Sequence, residues 1–408
     1  MGEWKEYKIS DVIDEISMGP FGSNIKVDNF IDSGVPVLNG SNLQGFKLNE
    51  DSFNYVSQEK ANSLGKANAH QGDVVITHRG TLGQIVYIPE DSRFEQYVIS
   101  QSQFRLKLKN NLIRPDFFVY FFHTRLGQHR IMMNASQVGV PALARPTSTF
   151  KEVCVPVPPM KTQNKVMSIL HSLDDKIEIN RRINENLEQQ AQALFKSWFV
   201  DFEPFRDGEF VESELGMIPK GWEVGCLSDI AEITMGTSPA GSSYNVIGEG
   251  DVFYQGRAEF DFRFPNRNMY TTEPKRFAES NSVLLSVRAP VGDINVAEER
   301  CCIGRGLASI QSLSKHDSFM LYLLKNIKPI FDSFNGEGTV FGSINKKALE
   351  NLPVIIPMQD IIERFDCVVS KMDSQIRTLV KESRRLAELR DALLPKLMSG
   401  ELKVGDKV

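Results

Sequence analysis

The chain has 408 residues, of which 41% are hydrophobic and 24% charged, which leaves room for two or three soluble globular domains with their own cores. No apolar run approaches the length of a membrane span and the first ten residues lack the apolar core of a signal peptide, so we expect a cytoplasmic protein. The net charge of −5 excludes a clamp that is basic throughout, so any nucleic-acid binding must come from local patches.

Residues 1–158 predict a mixed α+β domain, which we term the first head. Short runs of β-branched residues alternate with turns rich in Gly, Asn and Ser, and a helical stretch follows them. This pattern predicts a twisted, largely antiparallel sheet. The predicted strands and the helix cover 35–38, 73–77, 84–88, 104–108 and 116–133.

A long amphipathic segment follows at 159–203, and its apolar positions recur at steps of four and three. A heptad pattern sustained over four to five repeats is typical of a coiled coil rather than of a surface helix. About forty helical residues would make a rod of roughly 60 Å. The positions that we assign to the helix seam are Leu170, Leu173, Ile177, Asn180, Leu187 and Leu194.

The rest of the chain repeats both parts. The heads align at an offset that falls along the chain from 218, at Trp4 and Trp222, so the two copies differ by insertions. The offset reaches 199 where Val153–Pro158 align with Leu352–Pro357, and it then holds without a gap along the helices. We therefore predict a second head, a second helix and a tail at 204–356, 357–402 and 403–408.

The second helix carries the same seam, but polar residues interrupt the seams of both helices. Two interpretations stay open: a buried polar seam residue fixes register at a cost in stability, or these positions face solvent where the coil opens. If the helices run antiparallel with aligned ends, Asn180 falls opposite Ser383. The seam positions of the second helix are Val369, Met372, Ile376, Ser383, Leu386 and Leu393, and the interruptions are Asn180, Asn184, Ser383 and Arg390.

Motifs of catalysis and of cofactor binding are absent from the sequence. It contains no G-x-x-x-x-G-K-[ST] phosphate loop, no H-E-x-x-H zinc motif and no Asn/Asp-Pro-Pro-aromatic signature of amino-methyltransferases. G-x-G occurs at Gly248, Gly304 and Gly336, but none continues to a third glycine within a βαβ unit. The five cysteines lack C-x-x-C spacing and are expected to be buried thiols. We therefore predict no catalytic residue, metal site or cofactor in this chain.

Three sets of polar residues are candidates for contacts to nucleic acid. Arg79 and Arg288 each follow a strand and precede a glycine-containing turn, and their recurrence favours a phosphate contact or a structural role over base readout. A loop of small, polar and basic residues follows the helix of each head; it suits a backbone groove, or is a plain crossover before the last strand. A third set differs between the heads, as base-reading residues would, although surface polarity explains it equally well.

The candidates for nucleic-acid contact comprise ten residues of the first head and eight of the second. They are Asn39, Ser41, Asn42, Gln44, Lys47, Arg79, Thr81, Ser136, Gln137 and Arg145, and Tyr254, Gln255, Arg257, Arg263, Arg288, Thr339, Ser343 and Lys346.

Three strings at the helix ends are specific enough to indicate a family. The first helix ends in LFKSWFVDFEPF at 194–205, the chain resumes with IPKGW at 218–222, and the second helix ends in LLPKLMSGEL at 393–402. In this order around two heads, they resemble the specificity subunit of type I restriction-modification enzymes. The resemblance extends over essentially the whole chain.

The resemblance implies an α+β fold of two pseudo-symmetric target-recognition domains, joined by an antiparallel coiled coil of two long helices that acts as a ruler. Each domain would bind one half of a bipartite, asymmetric double-stranded DNA target. Heads related by a pseudo-two-fold axis suit half-sites about one helical turn, roughly 34 Å, apart, so we expect a gap of several base pairs that is not read.

The resemblance also implies partners that carry the chemistry. Two modification subunits would bind S-adenosylmethionine and methylate adenine at N6, and two restriction subunits would use ATP and Mg²⁺ to translocate and cleave DNA. The chain itself would be a non-catalytic subunit. Its parts would be a recognition domain, a central conserved helix, a second recognition domain, a C-terminal conserved helix and a tail, at 1–158, 159–203, 204–356, 357–402 and 403–408.

Two other classes of protein stay open. One is a coiled-coil adaptor that binds no nucleic acid. The other is a hydrolase in the β-rich heads that uses His78 or the pair Cys301 and Cys302. His78 aligns with Val287 and the cysteine pair has no counterpart in the first head, which argues against the hydrolase.

Overall fold

The computed structural model describes residues 4–133, 135–136, 140–335 and 342–404. The chain divides into two compact units. Each unit combines one head with a part of both long helices, so the boundaries of the units fall inside the helices rather than at their ends. The first unit consists of Met1–Glu178 and Ser383–Val408, and the second consists of Ile179–Glu382.

The first head contains two four-stranded sheets and two smaller pairs of strands. The first sheet is antiparallel, with strand order Ile13–Met18, Gln103–Leu108, Val74–Thr77 and Ile85–Tyr87. The second has a parallel central pair, in the order Asn54–Val56, Val35–Val37, Gln96–Val98 and Asn68–His70. Two further antiparallel pairs join Lys5–Lys8 to Cys154–Val157 and Ala135–Ser136 to Ala142–Leu143. The α-helices are Ile9–Val12, Gln58–Ser63, Pro115–Phe122, Arg125–Met132 and Pro146–Lys151.

The second head repeats this topology. Its antiparallel sheet has the order Ala231–Met235, Leu307–Ser312, Val283–Ser286 and Ile294–Val296. Its other sheet gains a strand, with the order Tyr244–Asn245, Tyr270–Thr271, Asp251–Tyr254, Cys301–Ile303 and Phe277–Ala278. Antiparallel pairs join Glu223–Cys226 to Pro353–Ile356 and Phe210–Ser213 to Gly216–Pro219. The α-helices are Leu227–Ile230, Asp317–Asn326, Lys328–Asp332 and Lys346–Glu350.

Each head is layered as helix, sheet and sheet, which explains its continuous apolar strands. Successive side chains of a strand point to opposite faces. Val74 and Ile76 pack into the cluster that contains the helix Pro115–Phe122, whereas Val75 packs into the cluster formed with the second sheet. Because both faces are covered, all four residues of Val74–Thr77 are buried and the strand shows no polar alternation.

The structure differs from the sequence prediction in two details of the heads. The single sheet expected for each head is a pair of sheets, and each head contains one parallel strand pair. The single helix predicted at 116–133 is broken at Thr124, whose hydroxyl accepts a hydrogen bond from the Gly127 amide at 3.0 Å and so begins a new helix.

The two long helices are Met160–Phe199 and Gln359–Met398, each of 40 residues, and we call them the central and C-terminal helices. In the first unit, the start of the central helix packs with the end of the C-terminal helix, and in the second unit the reverse holds. The helices are therefore antiparallel within each unit. Within the described ranges, no helix is both long enough and apolar enough to cross a membrane.

The twelve predicted seam positions are all buried or half-buried. Asn180 is 0% exposed and Asn184 is 4% exposed, so the interpretation that these two asparagines face solvent is wrong. The Asn180 side chain donates a hydrogen bond to Glu382 Oε2 at 2.8 Å, one residue from the predicted position opposite Ser383. By the observed helix bounds, aligned ends would pair Asn180 with Thr378, so the observed pairing is offset from end alignment by about four residues.

A polar contact anchors the first head on both helices. Tyr120 donates a hydrogen bond to Asp174 of the central helix, and Arg390 of the C-terminal helix donates to the same carboxylate at 2.7 Å. The Arg390 guanidinium lies 4.8 Å from the centroid of the Phe46 ring, and Phe46 stacks on Tyr120. Arg390, which interrupts the seam in the sequence, thus ties the helices to the head.

A buried charge cluster anchors the second head. Arg263, whose side chain is 3% exposed, donates to Asp373 at 2.7 Å, to Glu188 and to the Tyr322 hydroxyl. Lys325 forms a further ion pair with Glu188. Burial alone would raise the pKa of Glu188, but the charges of Arg263 and Lys325 lower it below its ordinary value. The cluster therefore holds charged carboxylates of both helices against the head.

Candidate nucleic-acid interface

In each head, loops from both sheets converge at one edge. In the first sheet, the strands Ile13–Met18 and Val74–Thr77 run antiparallel to Gln103–Leu108. The ends of these two strands therefore lie beside the start of Gln103–Leu108. The Gly19 amide donates to the Gln103 carbonyl and the His78 amide to the Ser102 carbonyl, both at 2.8 Å. We call this surface the first loop face, formed by 19–24, 39–44, 78–83, 100–102 and 140–145.

The second head has an equivalent surface. The Gly236 amide donates to the Leu307 carbonyl and the Val287 amide to the Gly306 carbonyl, both at 2.9 Å. These bonds correspond to those of the first head in strand, edge and direction. We call this surface the second loop face, formed by 236–240, 255–259, 288–292, 304–306 and 342–345.

The recurrent arginines lie next to the loops that follow the head helices. The amide after Arg79 donates to the Pro141 carbonyl at 2.9 Å, and the amide after Arg288 donates to the Gly342 carbonyl at 3.0 Å. Two of the three candidate sets therefore adjoin in both heads. The exposed members of these sets are Arg79, Thr81, Ser136, Arg145, Arg288, Ser343 and Lys346. Gln137 and Thr339 lie outside the described residues.

The first-head residues of the third set lie on or beside the first loop face, but only some of them are exposed. The Gln84 side chain donates to the Gly40 carbonyl at 3.1 Å, which holds this segment beside the Arg79 turn. Asn39 accepts a hydrogen bond from the Ser41 amide at 2.8 Å and so caps a short 3-10 helix. Asn42 is buried and donates to two backbone carbonyls, so its assignment to DNA contact is wrong. Ser41, Gln44 and Lys47 are exposed.

In the second head, two candidates are wrong and two lie on the loop face. Tyr254 is 2% exposed and packs between strands, and the Arg263 guanidinium is enclosed by the helix carboxylates. Neither can reach a DNA groove from these positions. Gln255 is half-buried and bonded to Ser238 at 3.0 Å, and Arg257 is exposed and paired with Asp293.

Two exposed residues of the loop faces, Gln101 and Arg305, were in none of the three sets. Each lies in the turn that connects the two sheets of its head. The G-x-G string at Gly304 is a sequence signal for Arg305, although it does not fit a dinucleotide-binding motif.

The residues considered for a hydrolase show no activated nucleophile. Burial raises the pKa of the Cys301 thiol to about 12, so the thiolate is scarce at neutral pH. Burial also lowers the pKa of His78, whose Nε2 lies 3.1 Å from the Gln101 carbonyl oxygen. Cys301 belongs to a buried strand rather than to a loop face.

The chain matches known proteins along most of its length. Residues 1–189 and 219–380 match the family model described as the type I restriction modification DNA specificity domain. The putative type I restriction enzyme MjaX specificity subunit of Methanocaldococcus jannaschii is 30% identical, over 98% of this chain and 94% of that protein. The type I restriction enzyme HindI specificity subunit of Haemophilus influenzae is 26% identical, over 98% of this chain and 100% of that protein.

A solved structure supports the fold. The S subunit of a type I restriction-modification system from M. genitalium has a TM-score of 0.57 at 16% identity, over 97% of this chain and 96% of that chain. The matched family model and the 30% identical relative show that the chain belongs to the type I restriction modification DNA specificity family.

Proposed function

We propose that each head reads one half of a bipartite, asymmetric DNA target, and that the chain does so without catalysing a reaction. The observation that carries this proposal is the pair of loop faces. They occupy the same topological place in the two heads, yet most of their exposed side chains differ. One framework with two different surfaces suits two different half-sites.

The recurrent arginines fit a contact that does not depend on sequence. Arg79 and Arg288 are exposed, follow equivalent strands and are the same residue in both heads. A cation beside a loop backbone suits a phosphate, which every half-site offers. We therefore assign these two residues to phosphate contacts, and the variable loop residues to base readout.

Loss of either arginine should weaken binding without changing the sequence that is read. For Arg79→Ala and Arg288→Ala, we expect a similar loss of affinity for target and non-target duplexes. We also expect the plot of log affinity against log salt concentration to become less steep by about one, because one phosphate contact disappears. Fluorescence anisotropy of the complex with its modification subunits measures both. A loss confined to the target duplex would contradict the assignment. Arg206→Ala removes an exposed arginine that is paired with Glu203 and lies outside both loop faces, so it should have a smaller effect.

We further propose that the long helices set the spacer between the half-sites. In each unit the helices pair antiparallel and a polar cluster anchors the head on them. Two modification subunits would supply S-adenosylmethionine and adenine methylation, and two restriction subunits would supply ATP- and Mg²⁺-dependent translocation and cleavage. The complex would act in the cytoplasm.

Methylome sequencing tests the proposal directly. Cells that lack other type I systems would express the modification subunit with or without this chain. We expect N6-methyladenine in one bipartite motif, with two different half-sites and a fixed spacer, when the chain is present. Methylation that is independent of this chain, or a single continuous motif, would contradict the proposal. The first outcome would favour a coiled-coil adaptor.

A further inference from the structure

One turn on each loop face connects the two sheets of its head at an equivalent position. In the first head it is Ser100–Ser102 and in the second it is Gly304–Gly306. The last residue of each turn accepts a hydrogen bond from the strand end that precedes the recurrent arginine, at 2.8 Å in the first head and 2.9 Å in the second. Gln101 and Arg305 are therefore structurally equivalent, although the difference between their residue numbers is not the offset of any of the aligned segments.

The second turn is held in place by its neighbours. The Gly306 amide donates to the Gln255 carbonyl at 3.2 Å, and the Arg305 amide donates to the Ser238 hydroxyl at 3.2 Å. A Cβ on Gly304 would lie 2.9 Å from the Gln255 backbone, and a Cβ on Gly306 would lie 2.8 Å from it. The two glycines are thus required by close packing. This accounts for the G-x-G string, which fixes the backbone of an exposed arginine.

The first turn is held by different groups. The Ser100 amide donates to the Gln103 side chain at 2.9 Å, and the Gln101 carbonyl oxygen lies 3.1 Å from His78 Nε2. A side chain on a fixed turn loses less conformational freedom when it binds than one on a free loop. Both turns therefore present one exposed side chain of a loop face from a backbone that is held by hydrogen bonds.

The two side chains differ in the way that base recognition requires. Arginine pairs bidentately with O6 and N7 of guanine, and glutamine pairs with N6 and N7 of adenine. The neighbouring Arg79 and Arg288 are the same in both heads, as a phosphate contact would be. We propose that Gln101 and Arg305 are base-reading residues, and that Gln101 reads an adenine of the first half-site while Arg305 reads a guanine of the second. This inference rests on the function proposed above.

The test is Arg305→Gln in the full chain, expressed with its modification subunit and followed by methylome sequencing. We expect the first half-site and the spacer to stay the same. At one guanine of the second half-site, preference should fall about tenfold or more, with adenine gaining, because one bidentate contact is replaced. Gln101→Arg should produce the converse change in the first half-site. Wild-type chain that yields no bipartite motif would contradict the proposed function, not this inference alone.

Binding measurements decide the case in which a variant methylates too weakly to sequence. The complex is titrated with duplexes in which each guanine of the second half-site is replaced in turn. We expect Arg305→Gln to lose discrimination at one position. The matched control is Arg288→Gln, which should lower affinity for all duplexes alike. If Arg305→Gln keeps the wild-type discrimination at every position, Arg305 contacts phosphate or nothing, and the inference is wrong.

Discussion

Removal of seven residues from each long helix, at facing positions, is expected to shorten the spacer of the methylated motif by about three base pairs. Seven helical residues span about 10 Å, and successive base pairs rise by about 3.4 Å. The observed register, with Asn180 bonded to Glu382, makes 178–184 and 378–384 the facing segments. A seven-residue deletion keeps the heptad seam in phase. Methylome sequencing gives the new spacer directly.

The chain provides a control for this deletion. The paired segments exclude Asp174, Glu188, Asp373 and Arg390, so the anchors of both heads stay in place. Deletion of 178–184 alone shifts every facing pair beyond it and should abolish methylation. If the complex that contains the paired deletion methylates the original motif with its original spacer, the helices do not set the spacing.

Arg263→Met is expected to lower the free energy of unfolding of the second unit by about 3 kcal/mol or more, because it leaves the buried carboxylates of Glu188 and Asp373 without their shared cation. Tryptophan fluorescence in urea measures this effect. In a Trp4→Phe background the remaining tryptophans, Trp198 and Trp222, both belong to the second unit.

Two further variants separate the buried cluster from ordinary ion pairing. Arg257→Met removes an exposed ion pair with Asp293 and should cost less than about 1 kcal/mol. Neutralising Glu188 and Asp373 by Gln and Asn in the Arg263→Met background should restore part of the loss, because the uncompensated carboxylate charges are removed. The recovery should be incomplete, because Lys325 then loses its partner Glu188. Equal urea midpoints for Arg263→Met and wild type would contradict the anchor.

The pH dependence of the same cluster has a defined direction. The folded-state pKa of Glu188 lies below its ordinary value of 4.5. The stabilisation that this carboxylate contributes is therefore complete above that value, and it is lost as the pH falls through the lowered, folded-state pKa.

The sequence was sufficient for the repeat and the helices, because heptad spacing is a local pattern that survives in both copies. It was insufficient for residues whose environment comes from distant segments. Arg263 has the chemistry of a base-reading residue, yet its partners Glu188 and Asp373 lie on helices 75 and 110 residues away in the chain. Asn42 is likewise a polar residue, but its side chain donates hydrogen bonds to two backbone carbonyls.

The site itself was predictable in part. The Arg79 turn and the loop that follows the first head's helix were both identified, but their adjacency depends on pairing between residues far apart in sequence. Arg305 was in none of the candidate sets because its G-x-G string fits no dinucleotide-binding motif and indicates no other function from the sequence alone, and the packing of both glycines against Gln255 is visible only in the folded chain.

One unit is built from two segments of the chain and the other from a single segment, and this sets the order in which the two units can be completed during synthesis. The second unit is one continuous stretch, Ile179–Glu382, so all of it has been synthesised before the C-terminal helix is finished. The first unit needs Leu394, Leu397 and Met398 to complete its core, although its head is translated first. Domains generally fold as units during synthesis. The head made first is therefore the one completed last, and part of its apolar helix-facing surface stays uncovered until the end of the C-terminal helix has been synthesised.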